Sequence, residues 1–317
     1  MGQQLFAKEP VFQEAIRHCD EEIQRNLGWS LVEEFTKDPK DYQLHCRIEY
    51  IQPAVTSIQF GLNALFRDRG IGAAAVAGFS MGEVAAAHQA GVLSLSDAMR
   101  IVCNHTKMMA EQRKLKPSNM AYVYLELRQL QYYLSLHDFV ENISIAVEMS
   151  PSVTVVAGQS DALERFLAFL REKGTSCGIV DIGFAFHSHE MSKLEPDFFE
   201  SLRGLHPSSE TIPVYSSVSG KRLKGIDFNV PYLWQMYTQP ALFITQIRSL
   251  LMDGYQTFVE FSPHPILTNS ILEIASSVNK KVVCLPTISQ ENELGCLELT
   301  MHALETPNEK ATWLDQQ

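Results

Sequence analysis

The chain has 317 residues, a formal charge of −11, and 45% hydrophobic against 20% charged residues. That composition suits one large or two unequal globular units with a real buried core, and excludes a disordered, collagen-like or small disulfide-stapled chain. The acidic balance excludes a general nucleic-acid footprint, no apolar run reaches the roughly 18–20 residues of a membrane helix, and MGQQLFAKEP lacks a secretory pattern, so the chain reads as cytoplasmic.

Val11, Phe12, Ile16, Ile23 and Leu27 recur at helical spacing and predict a helix over 11–36, with Asp20, Glu21 and Glu22 on its wet face. A second helix is expected over about 51–69, where Ile51, Val55, Ile58, Leu62 and Leu65 make one stripe before Arg69-Gly70. A short apolar strand (Ala73–Ala77) then runs into Gly78-Phe79-Ser80-Met81-Gly82 and the helix formers Glu83-Val84-Ala85-Ala86-Ala87. Strand, tight turn and helix around Gly-x-Ser-x-Gly is the context of a nucleophile elbow, with both glycines expected to relieve a clash in the bend. Ser94 and Asp97 resemble a capping box for the next helix, whose Ala98, Ile101, Val102, His105, Met108 and Met109 share an inward face.

From 121 to 182 the predicted order is βαββαβ, the split unit of ferredoxin-like domains, read as an insertion between parts of a larger α/β unit. After it come Gly183-Phe184-Ala185-Phe186-His187-Ser188-His189 and a helix near 190–204. A strand is expected at about 212–217, with helices near 230–237 and 240–253 and a strand at 257–261 ending in Ser262-Pro263-His264-Pro265. A helix over 266–276 and a strand at 282–285 complete the core, and 305–317 reads as a loose polar tail. The domain reading is a core of 1–118 and 183–290, a small subdomain of 119–182, and a C-terminal linker or tail of 291–317.

Serine needs a base within hydrogen-bond reach to act as a nucleophile, and Ser80 is the candidate. Position alone leaves two bases open, His187 after a predicted strand and His264 at the end of another. Asp181 precedes His187 by only six residues and no other acid stands out, so a Ser–His dyad is expected, with some other group orienting the imidazole. Cys19, Cys46, Cys103, Cys177, Cys284 and Cys296 are scattered without C-x-x-C, which points to free thiols. His187 and His189 lack partners at ligand spacing, so no metal is expected.

Three segments, Gly78–Glu83, Phe184–His189 and Phe258–Pro265, resemble the acyltransferase domains of modular polyketide synthases, relatives of the malonyl-CoA:acyl carrier protein transacylases. Gln52-Pro53-Ala54, Tyr215–Gly220 and Gln239-Pro240 agree, and the resemblance runs over about 1–290. It implies an α/β fold with an α/β-hydrolase-like parallel-sheet core and a ferredoxin-like insertion. It also implies ping-pong transfer from an acyl-CoA, through an acyl-serine at Ser80, to the phosphopantetheine of an acyl carrier protein, beside an adjacent ketosynthase or linker in a megasynthase. No bound cofactor is implied. His187 becomes the base, a backbone carbonyl near Met236 its orienter, the Met81 N–H an oxyanion donor, and Phe79, His105, Phe184, Phe186 and His264 the residues lining the substrate cleft.

Three departures from the family carry expectations. The family opens with a strand and a Gly-Gln-Gly motif that completes the oxyanion hole, and Met1–Leu5 aligns just after it. The arginine that holds a malonyl-type carboxylate is His105 here, and the histidine usually preceding the nucleophile is Phe79. The His105 and Phe79 departures point to a non-dicarboxylic or unusual acyl group, whereas Phe184-Ala185-Phe186-His187 resembles a malonyl-selective signature; the first departure implies a weakened oxyanion hole. A malonyl-selective enzyme, a thioester hydrolase of the same fold and an inactive module are the alternatives. A basic patch for the carrier protein is sought at Lys221, Arg222 and Lys224.

Overall fold

The computed structural model describes residues 1–38, 41, 48–112, 117–136, 139–180, 183–289 and 291–306, and its first departure from the sequence pattern falls at Gly28. After α1 (Gln3–Lys8), the helix expected over 11–36 is two helices, α2 (Pro10–Leu27) and α3 (Leu31–Thr36). Gly28 at φ 75° closes α2 and donates its N–H to Gln24 O, a left-handed cap that a β-carbon resists. Ser30 then caps α3 by accepting from Glu33 N. Asp20, expected in water, is buried because its carboxylate takes the Leu31 N–H at 2.5 Å, the Val32 N–H at 3.3 Å and the Ser30 hydroxyl at 3.1 Å. These are orphan donors of a helix start, where a negative group is favoured.

The long helix α4 (Ile48–Asp68) packs beside α2 and is followed by β1 (Val76–Ala77), α5 (Gly82–Gln89) and α6 (Leu95–Gln112). Ser94 Oγ accepts from Asp97 N at 3.0 Å and donates to the Asp97 carboxylate, so the expected cap forms with a side chain-to-side chain return bond. Leu5, Phe12, Ile16, Ile23, Leu31, Ile58, Leu62, Val84, Ala98 and Val102 fill one apolar core among these helices.

A four-stranded antiparallel unit interrupts this layer. Its elements are β2 (Ser118–Val123), α7 (Leu127–Ser135), β3 (Ile143–Ser150), β4 (Val153–Gln159), α8 (Ser160–Glu172) and β5 (Cys177–Val180), and the strands lie in the order β3-β4-β2-β5. Alternation splits each strand between two cores. Ala121, Val123, Ile143 and Val156 pack under Leu130, Leu134, Leu163, Phe166 and Leu170 of α7 and α8. On the opposite face Met120, Ala146, Val155 and Ala157 meet the remainder of the chain.

That remainder begins with α9 (Glu195–Ser201), β6 (Val214–Tyr215) and β7 (Arg222–Leu223), followed by α10 (Val230–Thr238) and α11 (Phe243–Met252). Next are β8 (Thr257–Glu260), α12 (Thr268–Ser277) and β9 (Val283–Pro286). β6 runs parallel to β1 and antiparallel to β7, while β8 and β9 form a separate parallel pair. The fold is therefore mixed α/β. Residues 239–242 lie along the free edge of β3, with Ala241 N donating to Ala146 O at 2.8 Å and Glu148 N to Ala241 O at 3.0 Å.

Where the sequence suggested only linker after 291, the chain forms α13 (Glu293–Glu305). The Glu293 carboxylate accepts from the Gly2, Gln4 and Leu5 N–H groups and caps α1. The loose tail expected beyond it lies outside the described residues from 307 on. Among the described residues no helix is long and apolar enough to cross a membrane, and no group of three or more His, Cys, Asp or Glu could hold a metal.

Candidate active site

The Gly-x-Ser-x-Gly turn sits between β1 and α5, and Ser80 adopts φ 51°. A non-glycine residue in this left-handed region costs about 1–2 kcal/mol, so the surroundings must hold it there. The two glycines are not equivalent. A β-carbon on Gly78 would lie 2.2 Å from the Glu83 N and Cα, so only glycine lets the helix start cross the strand end. A β-carbon on Gly82 meets nothing within 4 Å, which corrects the expectation that both relieve a clash. Within the turn, Gly82 N donates to Phe79 O and Glu83 N to Ser80 O, while the Met81 N–H meets no acceptor among the described residues.

His187, the second described non-glycine residue of this region at positive φ (56°), brings its Nε2 to 3.0 Å from Ser80 Oγ. Its backbone N–H donates to Tyr237 O at 2.9 Å, and Ser188 Oγ, bonded to Ala185 O, accepts from Glu190 N to start the following turn. The ring Nδ1 lies 2.9 Å from Gln239 O. A carbonyl only accepts, so Nδ1 carries the proton and Nε2 turns its lone pair to the serine hydroxyl. The orienting carbonyl is thus that of Gln239, not of Met236, whose buried side chain belongs to the helix core. The difference follows from chain geometry: α10 ends at Thr238, and only the extended residues beyond it present a carbonyl sideways. Burial lowers the His187 pKa from its ordinary value to about 4, with the Gln239 bond opposing that shift.

His105, on α6, is 3% exposed and stacked between two rings, Phe186 at 4.9 Å and Tyr237 at 4.8 Å. Burial, and secondarily the neighbouring His187, holds its pKa down at about 3, so the imidazole is neutral, and its Nε2 has no hydrogen-bond partner among the described residues. Phe184 is fully buried against Phe186, and Phe79 packs edge-on to Phe243. His264 is different. It sits exposed in a turn, its backbone bonded to Ser262 Oγ, and nothing joins it to Ser80 or His187. Asp181 lies outside the described residues, as does the side chain of His189.

Sequence reasoning missed the polar groups that brace the turn. Glu83 is 1% exposed, and its Oε1 accepts from Ser217 N at 2.8 Å and from the Ser217 hydroxyl, while Oε2 accepts from the Tyr232 hydroxyl. Burial raises its carboxyl to about 7 against the opposing effect of those bonds. Gln246 Nε2 donates to Gly78 O at 2.9 Å and to Tyr215 O at 2.8 Å. The available signal was an acid at the head of an otherwise apolar helix run, Val84-Ala85-Ala86-Ala87. A cavity of about 540 Å³ is lined by Gln235, Gln239, Pro240 and Val218 among others, but by neither Ser80 nor His187.

A half-buried serine hydroxyl against a buried imidazole, on a strand–turn–helix, is a scaffold for nucleophilic attack. The family model for the acyl transferase domain matches residues 1–306. The chain is 32% identical over 91% of its length to the spectinabilin polyketide synthase system protein NorC of Streptomyces orinoci. It is 31% identical over 92% of its length to the mycoketide-CoA synthase of Mycobacterium tuberculosis. It spans 12% and 7% of those proteins. A loading acyltransferase from the avermectin modular polyketide synthase superposes with a TM-score of 0.89 at 28% identity, covering 96% of this chain and 95% of the other. A malonyl CoA-acyl carrier protein transacylase from Clostridium perfringens shares the fold, with a TM-score of 0.85 at 23% identity over 98% and 95% of the two chains. The chain belongs to the acyl transferase domain family, among the acyltransferase domains of polyketide synthases.

Proposed function

We propose that this chain moves an acyl group from acyl-CoA to the phosphopantetheine thiol of an acyl carrier protein, as the acyltransferase unit of a polyketide synthase. The observation that carries this reading is the 3.0 Å approach of His187 Nε2 to Ser80 Oγ. Ser80 Oγ attacks the thioester carbonyl as its proton passes to Nε2. The C–S bond then breaks, the proton goes to the leaving CoA thiolate, and an acyl-serine remains. In the second half the carrier thiol loses its proton to Nε2, attacks the ester carbonyl, and Ser80 recovers the proton as it leaves. The free Met81 N–H supports a role as oxyanion donor, the kind of group whose loss costs about 100–1000-fold in turnover. Strand order β3-β4-β2-β5 and the βαββαβ succession support reading residues 119–182 as a ferredoxin-like insertion in a hydrolase-like core.

The acyl group we assign is a monocarboxylic one. His105 carries no charge between its two ring neighbours, and a malonyl carboxylate buried beside a neutral imidazole would lack a counter-ion. Phe79 and Phe186 add apolar wall. Intact-mass detection of the acyl-enzyme over a panel of acyl-CoAs tests both claims. Acetyl, propionyl or branched acyl groups are expected to load Ser80 faster than malonyl, and His105→Arg to shift the ratio toward malonyl by about tenfold or more. Faster malonyl loading by the unaltered chain overturns the selectivity, and loading that survives Ser80→Ala overturns the mechanism.

A further inference from the structure

Ser80 and His187 come from segments far apart in sequence, and both hold positive φ angles. Something must therefore fix the two strained turns relative to each other. Two residues touch both sides: Tyr237, whose carbonyl takes the His187 N–H and whose hydroxyl donates to Met81 Sδ at 3.2 Å, and Ser217. The Ser217 N–H and hydroxyl are both donated to Glu83 Oε1, at the head of the helix that carries Ser80. The Ser217 carbonyl accepts the Leu242 N–H at 2.6 Å, in the extended segment whose Gln239 carbonyl holds His187 Nδ1. On the far side of the carboxylate, Ser216 Oγ takes the Val218 and Ser219 N–H groups, which leaves its own proton for the Tyr232 oxygen at 2.6 Å. Tyr232 then gives its proton to Glu83 Oε2.

We propose that Glu83, acting through Ser217, is the positioning residue that sets Ser80 Oγ against His187 Nε2. The link is short and wholly buried: Glu83 is 1% exposed, Ser217 1% and Ser216 0%. It needs one acceptor oxygen facing Ser217, so it persists whether or not the carboxyl is protonated, and a glutamine can supply it. The proposal rests on the Ser80–His187 pair as the reactive centre, but not on the identity of the acyl donor.

The test is the rate of Ser80 labelling by a fluorophosphonate, followed by intact mass on the full chain, with saturation kinetics and a thermal melt for each variant. Glu83→Ala is expected to lower the maximal labelling rate about 10–100-fold, the cost of displacing a reacting atom by about 1 Å, with little change in half-saturating probe concentration. Glu83→Gln restores it to within about threefold, because an acceptor again faces Ser217. Ser217→Ala, which deletes only the hydroxyl and keeps both backbone links, slows labelling about threefold to tenfold and carries the test should Glu83→Ala not fold. Leu163→Ala, in the separate core of the small unit, loses stability but keeps the unaltered labelling rate. The proposal is overturned if Glu83→Ala and Ser217→Ala label like the unaltered chain, or if Leu163→Ala loses the same rate at the same melting temperature. An unaltered chain that takes no label fails the pair itself, a result distinct from either.

Discussion

The pH dependence of Ser80 reactivity separates a buried base from an ordinary one. An exposed histidine titrates near 6.5, whereas burial holds His187 at about 4. At pH 5 an imidazole of the ordinary kind is only about 3% neutral, while one with a pKa of 4 is about nine-tenths neutral. Between pH 8 and pH 5 the rate of fluorophosphonate labelling should then fall by only about a tenth, against about thirtyfold for an unshifted base. Intact-mass time courses at half-unit pH steps give the profile, and circular dichroism at pH 5 shows that the chain is still folded. A loss of rate centred near pH 6.5, with retained structure, refutes the argument that burial and a neutral carbonyl partner set the base.

Two further predictions concern the turn and its brace. Gly78→Ala is expected to abolish labelling and destabilise the chain, because its β-carbon would meet helix backbone at 2.2 Å, while Gly82→Ala, facing open space, folds and labels. Equal effects at the two glycines would refute that asymmetry. Glu83 is raised from 4.5 to about 7, so the folded state binds its proton more tightly, and the stability this contributes is lost as pH rises through 7. The stability of Glu83→Gln relative to the unaltered chain should thus rise by about 2 kcal/mol from pH 5.5 to 8, in paired denaturant titrations. A difference that does not vary with pH removes the buried carboxylate from the account.

Local pattern made the turn readable, because strand, glycine, serine and helix formers lie within about ten residues and the steric demand at Gly78 is local. The small unit was readable for the same reason, its alternating strands and amphipathic helices being contiguous. What could not be read is what the chain uses across long separations. Asp20 looks solvent-facing by periodicity, and only the return of the chain at Leu31 turns it into a cap. Glu293 acts on residues nearly the whole chain away, so its helix had no local reason to be more than a linker. His187 over His264 was undecidable from position, since both follow strands, and the tertiary fold leaves one exposed and brings the other to the serine. The orienting carbonyl was misplaced by three residues because backbone direction after α10 depends on pairing with β3, which no side chain announces.

The choice of a carbonyl rather than a carboxylate behind His187 follows from the same burial that lowers its pKa. A carboxylate there would stabilise the imidazolium, but its own desolvation in a site this closed costs several kcal/mol unless fully paired. Gln239 O fixes the tautomer without adding a charge, at the expense of leaving the resting imidazole a weak base. In the mechanism proposed above, proton transfer is then favoured only as negative charge develops on the attacked carbonyl oxygen, so that imidazolium and oxyanion form together. Such an arrangement depends on geometry more than on basicity, because no fixed charge pulls a displaced ring back into line. Two bridges meet that demand in the proposed scheme: Ser217 bonds the serine's helix through Glu83 and the histidine's strap through Leu242, and Tyr237 bonds His187 N–H through its carbonyl and Met81 Sδ through its hydroxyl.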